Sequence, residues 1–336
     1  MECTVHNSAM MDDVLGGSMQ AFEQSSSKLG FIGLGNMGSR IAGRLLAAGY
    51  AVSVFDRDRS KSDALKDGGA KPFYSLAELA GSVDVVLSCL TDDRAVRDVY
   101  YGPTGVLANA SARLVILEMS TVLPETSREL ANKASELGIQ VLDVAISGST
   151  PAAEAGTLLL LAGGTSYFFE AARPIFQAIA SKYFHLGPSG AGTTMKMVVN
   201  AMLGIGMQAI AEAAALGEKA GLSREVLLDV LSQTAVIAPA HAGKLSRAAR
   251  GDYSPQFPLK LMNKDFRLIL QLAVDVHAMV PATSASFEVN SQAMTTHADE
   301  DFSAVIKVME QQTSVAPSAQ SARALMDSDV VSSIRH

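Results

Sequence analysis

The chain has 336 residues, of which 48% are hydrophobic and 18% charged, and its formal net charge is −7. This composition is typical of a folded globular protein, and the acidic balance argues against partners that need a basic face, nucleic acids and anionic membranes. Two cysteines are too few for a disulfide framework or a cysteine zinc site, and no metal site is predicted. The apolar runs are shorter than the roughly 20 residues that span a bilayer, so no membrane partner is expected.

The two ends of the chain differ in composition from the rest. Residues 1–27 contain no Lys or Arg and four acidic side chains, so they match neither a secretory signal nor an Arg-rich transit peptide. We expect a disordered leader there and a cytoplasmic protein. Residues 311–336, rich in Ser and Ala, are expected to form a loosely ordered tail.

From Lys28 onwards, short apolar runs alternate with amphipathic stretches. The runs include "LGFIGLG", "AVSVFD", "VDVVLSCL", "RLVILEMS" and "IQVLDVAI". This alternation predicts a Rossmann-like, doubly wound parallel sheet over residues 28–189. After it, the strand pattern disappears, and long helical patterns predict an all-α substrate and dimerisation domain over residues 190–310, joined to the sheet by a long interdomain helix.

A glycine motif lies between the first predicted strand and the first predicted helix. "GFIGLGNMGSR" places Gly33, Gly35 and Gly38 in a GxGxxG pattern. These glycines allow a tight turn, close approach of a pyrophosphate and close helix packing, and the helix N-terminus attracts the phosphate charge. We therefore expect the following residues to bind NAD or NADP: Gly33, Leu34, Gly35, Asn36, Met37 and Gly38.

The choice between NAD and NADP depends on the end of the second predicted strand. Asp56 stands close to the roughly 20-residue offset at which an acid accepts a ribose 2′-OH, which favours NAD. Arg57 follows at once, with Arg59 and Lys61, and a guanidinium suits the 2′-phosphate of NADP. The same basic residues could equally form a solvated face. The sequence favours NAD over NADP.

Four segments occur in a fixed order: "FIGLGNMGSRIAGRLLAAGY", "VLDVAISGSTPAAEAGTL", "SGAGTTMKMVVN" and "FPLKLMNKDFRLIL". Together they resemble the signature segments of the β-hydroxyacid dehydrogenase family, the enzymes related to 3-hydroxyisobutyrate dehydrogenase. The resemblance covers about residues 28–310. It implies hydride transfer between NAD(P) and a small β-hydroxy acid or its semialdehyde, in a homodimer or homotetramer.

The resemblance also implies roles for individual residues. Lys196 matches the catalytic lysine of the family, and the residues that match its substrate-binding positions are Ser147, Gly148, Ser149, Asn200 and Thr121. "EMSTVLP", which resembles the DxST turn of the family, places Ser120 and Thr121 near the nicotinamide ribose and the substrate. Leu90 in "SCLTDD" and Lys264 in "MNKDF" match positions that lie near the cofactor.

The residue types fit this chemistry. Lys196 and Asn200 are four residues apart on a predicted helix, so they share one face. A lysine can move the hydroxyl proton and stabilise charge on the oxygen if burial and a neighbouring nicotinamide lower its pKa. The competing interpretation of a lone helical lysine is a stem over apolar surface with its ammonium in water.

Three departures from the family pattern leave the substrate open. Ala145 stands where proline is usual, Ser149 where a second glycine is usual, and Thr91 where the cofactor loop commonly has proline. An NADPH-dependent glyoxylate or succinic semialdehyde reductase is an alternative if Arg57 binds a 2′-phosphate, and imine reduction is a third. An alternative of another class is a catalytically silent dinucleotide-binding scaffold. The helix expected over residues 191–220 is apolar nearly all round, which favours a homodimer or homotetramer.

Overall fold

The computed structural model describes residues 21–314, and the chain divides by its internal contacts into two compact units at Val198 and Val199. Most of the predicted leader and tail, residues 1–20 and 315–336, lies outside the described residues. Residues 21–27 are described. The Phe22 N–H donates to the Ala171 carbonyl at 2.9 Å, and the Tyr50 hydroxyl donates to the Phe22 carbonyl at 3.1 Å. Phe22 is therefore hydrogen-bonded to the first unit, although the prediction placed it in a disordered leader.

The first unit contains one mixed sheet. Within the described residues its eight strands are β1 (Lys28–Ile32), β2 (Ala51–Phe55), β3 (Lys71–Pro72), β4 (Val85–Ser88), β5 (Val115–Glu118), β6 (Gln140–Ser147), β7 (Leu158–Gly163) and β8 (Ala180–His185). They lie in the order β3-β2-β1-β4-β5-β6-β7-β8. The predicted Rossmann-like sheet is thus confirmed.

One pair of strands departs from the predicted parallel sheet. β6 and β7 are antiparallel, with Asp143 opposite Gly163 and Ser147 opposite Leu159, whereas the other neighbours are parallel. A parallel crossover needs a dozen or more residues. The connection over residues 148–157 is shorter than that, so the chain turns back beside β6.

Helices cover the sheet. In the first unit they are α1 (Gly38–Ala47), α2 (Arg59–Asp63), α3 (Leu76–Ala80), α4 (Asp93–Tyr100), α5 (Val106–Asn109), α6 (Pro124–Ser135), α7 (Thr150–Ala155), α8 (Ser166–Ala171) and α9 (Arg173–Ile179). Successive strand residues enter different hydrophobic clusters: Leu87 packs in one and Val86 in the other. Because neighbouring side chains of a strand point to opposite faces, the sheet is buried on both sides.

The second unit is built from helices. They are α10 (Ala191–Lys219), which begins in the first unit, α11 (Arg224–Gln233), α12 (Pro239–Ala249), α13 (Leu259–Asp275), α14 (Pro281–His297), a 3₁₀ turn (Phe302–Ala304) and α15 (Val305–Ser314). A Cβ at Gly204 would collide with the ring of Phe266, so the small residues of α10 allow close packing against α13.

The boundaries of the second unit differ from the prediction at both ends. The predicted boundary at residue 190 coincides with the start of α10 rather than with the division between the units, because the first turn of α10 packs on the sheet. At the other end, α15 extends beyond residue 310.

Helix α10 is longer and more apolar than the sequence runs suggested. Its 29 residues, with a mean hydropathy of 1.4 in the most apolar window, would be enough to cross a membrane by length and composition. Core helices pass the same test, and 44% of that window is buried within this chain. The expectation that no apolar stretch reaches spanning length is therefore wrong for α10.

Candidate active site

The strand register brings several loops to one edge of the sheet. Phe55, Ile32, Ser88 and Glu118 are register partners in the neighbouring parallel strands β2, β1, β4 and β5. The loops that leave these positions contain the glycine motif and the expected cofactor residues of the first unit, whereas Lys264 lies on α13. In open α/β sheets, ligands bind at the carboxyl ends of the strands where the strand order reverses, which here is between β1 and β4.

The three motif glycines have different surroundings. Gly33 has a φ of +90°, and a Cβ there would collide with the Cys89 carbonyl oxygen. A Cβ at Gly38 would collide with the Gly33 carbonyl, so α1 starts directly against the turn. Gly35 is exposed, and a Cβ added there would meet no other atom within 4 Å. A tight turn, a close helix start and open space above the backbone fit the pyrophosphate of a dinucleotide.

Asp56 fixes the glycine loop, residues 33–38, through a hydrogen bond to its backbone. Its Oδ2 accepts the Leu34 N–H at 2.7 Å, and its Oδ1 accepts the Asp58 N–H at 2.9 Å. The Leu34 side chain is buried in the core, so only its backbone belongs to the loop surface. Asp56 therefore has a structural role at this edge that its position in the sequence did not reveal.

The basic residues after Asp56 have separate environments. Lys61 Nζ lies 3.9 Å from Asp56 Oδ1, and the Arg59 guanidinium lies over the Tyr74 ring at 5.1 Å. Arg57 is exposed. Of the basic residues that could meet a 2′-phosphate, Arg57 is the one beside Asp56 in the chain.

A network of hydrogen bonds joins the loops after β4 and β5. The Leu90 N–H donates to Ser120 Oγ at 2.7 Å, and the Ser120 N–H donates to Glu118 Oε1 at 3.0 Å. At the end of β4, Ser88 Oγ and the Tyr100 hydroxyl lie 2.6 Å apart. The network fixes the turn that also contains the partly buried Thr121.

Sequence reasoning missed Glu118, although the motif "EMST" contains it. Burial raises the pKa of Glu118 to about 7, the Ser120 hydrogen bonds oppose this rise, and the charge of Asp143 on β6 adds to it. Glu118 Oε2 has no hydrogen-bond partner among the described residues. A strand residue of this kind is recognisable only once its neighbours are known.

The expected carboxylate-binding turn follows β6. Gly148 has a φ of +141°, and a Cβ there would lie 2.8 Å from Leu158 Cδ2. Gly148 and Ser149 are exposed, while Ser147 is partly buried at the strand end. The turn is therefore accessible and depends on glycine for its shape.

Lys196 and Asn200 lie on α10, as predicted. Lys196 is partly buried and Asn200 is 1% exposed. Asn200 Nδ2 donates to Asp265 Oδ2 at 2.6 Å, and Lys264 Nζ lies 3.0 Å from Asp265 Oδ1. The Asn200 amide nitrogen carries a second hydrogen that can donate, and Asn200 Oδ1 has no hydrogen-bond partner among the described residues.

Asp265, which accepts the Asn200 amide hydrogen, is a second residue that the sequence analysis did not single out. In residues 21–314, no group of three or more His, Cys, Asp or Glu side chains is placed to hold a metal ion.

Comparison with known families agrees with this architecture. Residues 28–187 match the family model described as the NAD binding domain of 6-phosphogluconate dehydrogenase. Residues 190–309 match the model described as NAD-binding of NADP-dependent 3-hydroxyisobutyrate dehydrogenase. The sheet, the glycine loop and these two matches define an NAD(P)-dependent oxidoreductase with a Rossmann-like unit followed by a helical unit.

Individual relatives indicate the group within the family that this chain resembles. The 2-(hydroxymethyl)glutarate dehydrogenase of Eubacterium barkeri is 35% identical over 298 residues, which cover 88% of this chain and 99% of that protein. The chloroplastic glyoxylate/succinic semialdehyde reductase 2 of Arabidopsis thaliana is 35% identical over 288 residues, 85% of this chain and 80% of that protein. Among solved structures, 3-hydroxyisobutyrate dehydrogenase of Mycobacterium tuberculosis with L-serine has a TM-score of 0.77 and 33% identity, covering 84% of this chain and 99% of that one.

The chain therefore belongs to the β-hydroxyacid dehydrogenase family, in the group related to 3-hydroxyisobutyrate dehydrogenase. The predicted family is confirmed, and with it the enzyme class: an oxidoreductase that acts on CH–OH groups with NAD or NADP.

Proposed function

We propose that this enzyme interconverts a small β-hydroxy acid and its semialdehyde, with Lys196 as the general acid/base. The observation that carries the proposal is the pair formed by a partly buried Lys196 and a buried Asn200 whose amide is oriented by Asp265. The two residues are four apart on α10, so they share a face of the helix. A lysine and an oriented amide can handle one substrate hydroxyl between them.

The cofactor would be held by the edge of the sheet described above. The glycine loop, residues 33–38, would take the pyrophosphate, and Leu90 and Thr121 would lie near the nicotinamide. The family resemblance adds Lys264, on α13, as a further cofactor-binding residue. The nicotinamide, when bound, supplies or accepts the hydride. We favour NAD, because a 2′-phosphate would bring further negative charge beside the Asp56 carboxylate.

The chain's own residues would bind and orient the substrate. Backbone N–H groups of Ser147, Gly148 and Ser149 would bind its carboxylate, since the turn is accessible and has no side-chain cation of its own. The second Nδ2 hydrogen of Asn200 would donate to the substrate oxygen, which leaves the hydroxyl proton for Lys196. The family resemblance adds Thr121 as a further substrate-binding residue. In oxidation the neutral amine of Lys196 takes the hydroxyl proton, and in reduction its ammonium returns one.

Removal of the lysine tests this function. We expect Lys196→Ala to lower kcat by about a hundredfold or more with 3-hydroxy acids, because it removes the general acid/base. Cofactor affinity, measured by titration of NADH fluorescence, should be retained. Lys219→Ala is the matched control, since Lys219 is an exposed lysine at the other end of the same helix.

Two results would contradict the assignment. Full activity of Lys196→Ala would show that the lysine takes no part in the proton transfer. A wild-type protein that binds cofactor but turns over neither hydroxy acids nor the matching aldehydes would be a silent dinucleotide-binding scaffold.

A second candidate is an NADPH-dependent glyoxylate or succinic semialdehyde reductase. The exposed position of Arg57 favours it, because a guanidinium there could bind the 2′-phosphate of NADP. The deciding measurement is the ratio of kcat/KM with NADPH and NADH in the wild type, Asp56→Ala and Arg57→Ala. Loss of NADPH use in Arg57→Ala alone would support the reductase.

We also propose that the enzyme is a homodimer or homotetramer. Met195, Val198 and Met202 share one face of α10 and are 38%, 55% and 69% exposed, an apolar stripe that a second copy would cover. Light scattering tests this. Met202→Glu should dissociate the assembly, and a monomeric wild type would overturn the proposal.

A further inference from the structure

Asp143 holds the start of helix α10. It lies within β6 and is 1% exposed. Its Oδ1 accepts the Gly190 N–H at 2.8 Å, and its Oδ2 accepts the Thr193 N–H at 2.9 Å. The first N–H groups of a helix have no partner inside the helix. A residue 47 positions earlier in the chain therefore supplies the acceptors that α10 lacks.

The glycines before Lys196 allow this contact. A Cβ at Gly192 would collide with the Leu161 carbonyl and lie 2.9 Å from Asp143 Oδ2. On the neighbouring strand, a Cβ at Gly163 would lie 2.6 Å from Asp143 Oδ1. The space around the carboxylate is therefore kept free by glycines on two elements. Gly190 adds a φ of +91°, which brings the chain into the helix from the strand side.

Asp143 also belongs to the strand that leads to the proposed substrate turn. β6 ends at Ser147, four residues after Asp143, and Gly148 and Ser149 follow at once. On the helix side, Lys196 lies three residues after Thr193, within one further turn. One side chain thus joins the strand that carries the turn to the helix turn that precedes the lysine.

We propose that Asp143 is a positioning residue that fixes Lys196 relative to the substrate turn at residues 147–149. The proposal rests on the proposed function for the role of Lys196. Burial raises the pKa of Asp143, while the N–H donors of Gly190 and Thr193 oppose the rise. Each oxygen of the carboxyl group accepts one backbone N–H. An amide in its place would turn one of these acceptors into a donor that faces an N–H group.

Two variants displace the helix start in different ways. Asp143→Asn replaces one acceptor by a donor, and Gly192→Ala inserts a methyl group between the helix and β6. Both should lower kcat by about ten- to a hundredfold, because a small misplacement of a catalytic group has an effect of this size. The substrate KM and the dissociation constant of NADH should change much less than kcat, because Asp143→Asn keeps the β6 backbone that leads to the substrate turn, and the glycine loop lies on another segment.

Hydrogen exchange supplies a readout that does not depend on activity. Amide exchange in a peptide covering residues 188–197 should be about tenfold faster in Asp143→Asn, since two of its protected N–H groups lose their acceptor geometry. Ser127→Ala is the matched control. Ser127 is buried and donates to Thr193 Oγ1 at 3.4 Å without touching Asp143, so its loss should leave both exchange and kcat unchanged.

Each result decides between the two proposals. Unchanged exchange in Asp143→Asn, or a kcat that stays at the wild-type value while exchange accelerates, would overturn the positioning role. If Asp143→Asn fails to fold, Gly192→Ala gives the same test with the carboxylate intact. If the wild type turns over no substrate, the proposed function fails, and the exchange rates still show whether Asp143 holds the helix.

Discussion

Glu118 gives this protein a pH-dependent stability that one substitution should remove. The carboxyl group is 2% exposed, and its Oε2 has no hydrogen-bond partner among the described residues. Burial raises its pKa from 4.5 to about 7, with a further contribution from Asp143. At about 1.4 kcal/mol per pKa unit, this corresponds to about 3 kcal/mol of unfolding free energy.

The sign follows from proton binding. The folded state keeps the Glu118 proton at pH values where the unfolded chain has already lost it. The stabilisation is therefore fully present below the unfolded pKa of 4.5 and is lost as the pH rises through about 7. Glu118→Gln keeps a neutral group of similar shape that can still accept the Ser120 N–H. Its side chain does not titrate, so the variant should not lose this contribution to the unfolding free energy as the pH rises through about 7.

The assay compares unfolding free energies of the wild type and Glu118→Gln in urea between about pH 4 and about pH 8. Exchange of the amides in β5 reports on the first unit alone. The unfolding free energy of Glu118→Gln relative to that of the wild type should rise by about 3 kcal/mol over this range. Glu125→Gln, which removes an exposed carboxyl on α6, should show no such gain. A difference between wild type and Glu118→Gln that stays constant with pH would refute the reasoning.

Three further predictions follow from close contacts in the two units. Lys244→Ala should lower the unfolding free energy, measured by chemical denaturation, by about 3 kcal/mol, because it leaves the buried Asp301 carboxylate without the ammonium 2.7 Å away. Gly38→Ala should weaken NADH binding in a fluorescence titration, because its methyl group presses on the glycine-loop carbonyl, whereas Gly43→Ala, whose methyl group would enter open space, should not. Asp265→Leu should raise the substrate KM, measured with saturating cofactor, because the buried asparagine amide of α10 loses the acceptor that orients it.

Local sequence signals predicted the features that depend on neighbouring residues. The apolar runs indicated the strands, and the spacing of Gly33, Gly35 and Gly38 predicted a turn between β1 and α1. The structure gives Gly33 and Gly38 a steric reason, since a Cβ at either would collide with a backbone carbonyl, whereas Gly35 has open space above it. Such features follow from the chain itself, because the residues that form them are only a few positions apart.

Contacts between distant segments could not be predicted in this way. Asp56 was identified from its offset after the glycine motif, as a partner for a ribose. Its carboxylate also accepts the N–H of Leu34, a bond across 22 residues that determines the shape of the glycine loop. The antiparallel β7 is a similar case, since the strand pattern of "TLLLLAGG" is the same in either direction.

The segment "SGAGTTMKMVVN" shows what long-range contacts add to a family motif. The resemblance identified Lys196 and Asn200, but it did not explain the glycines that precede them. In the structure, Gly192 lies against Asp143, and the carboxylate takes the N–H groups that begin the helix. The glycines are therefore needed for a contact inside the protein, whether or not a ligand is bound. A glycine-rich approach to a catalytic lysine can thus be a requirement of helix placement, and substitutions there should alter kcat without touching substrate or cofactor.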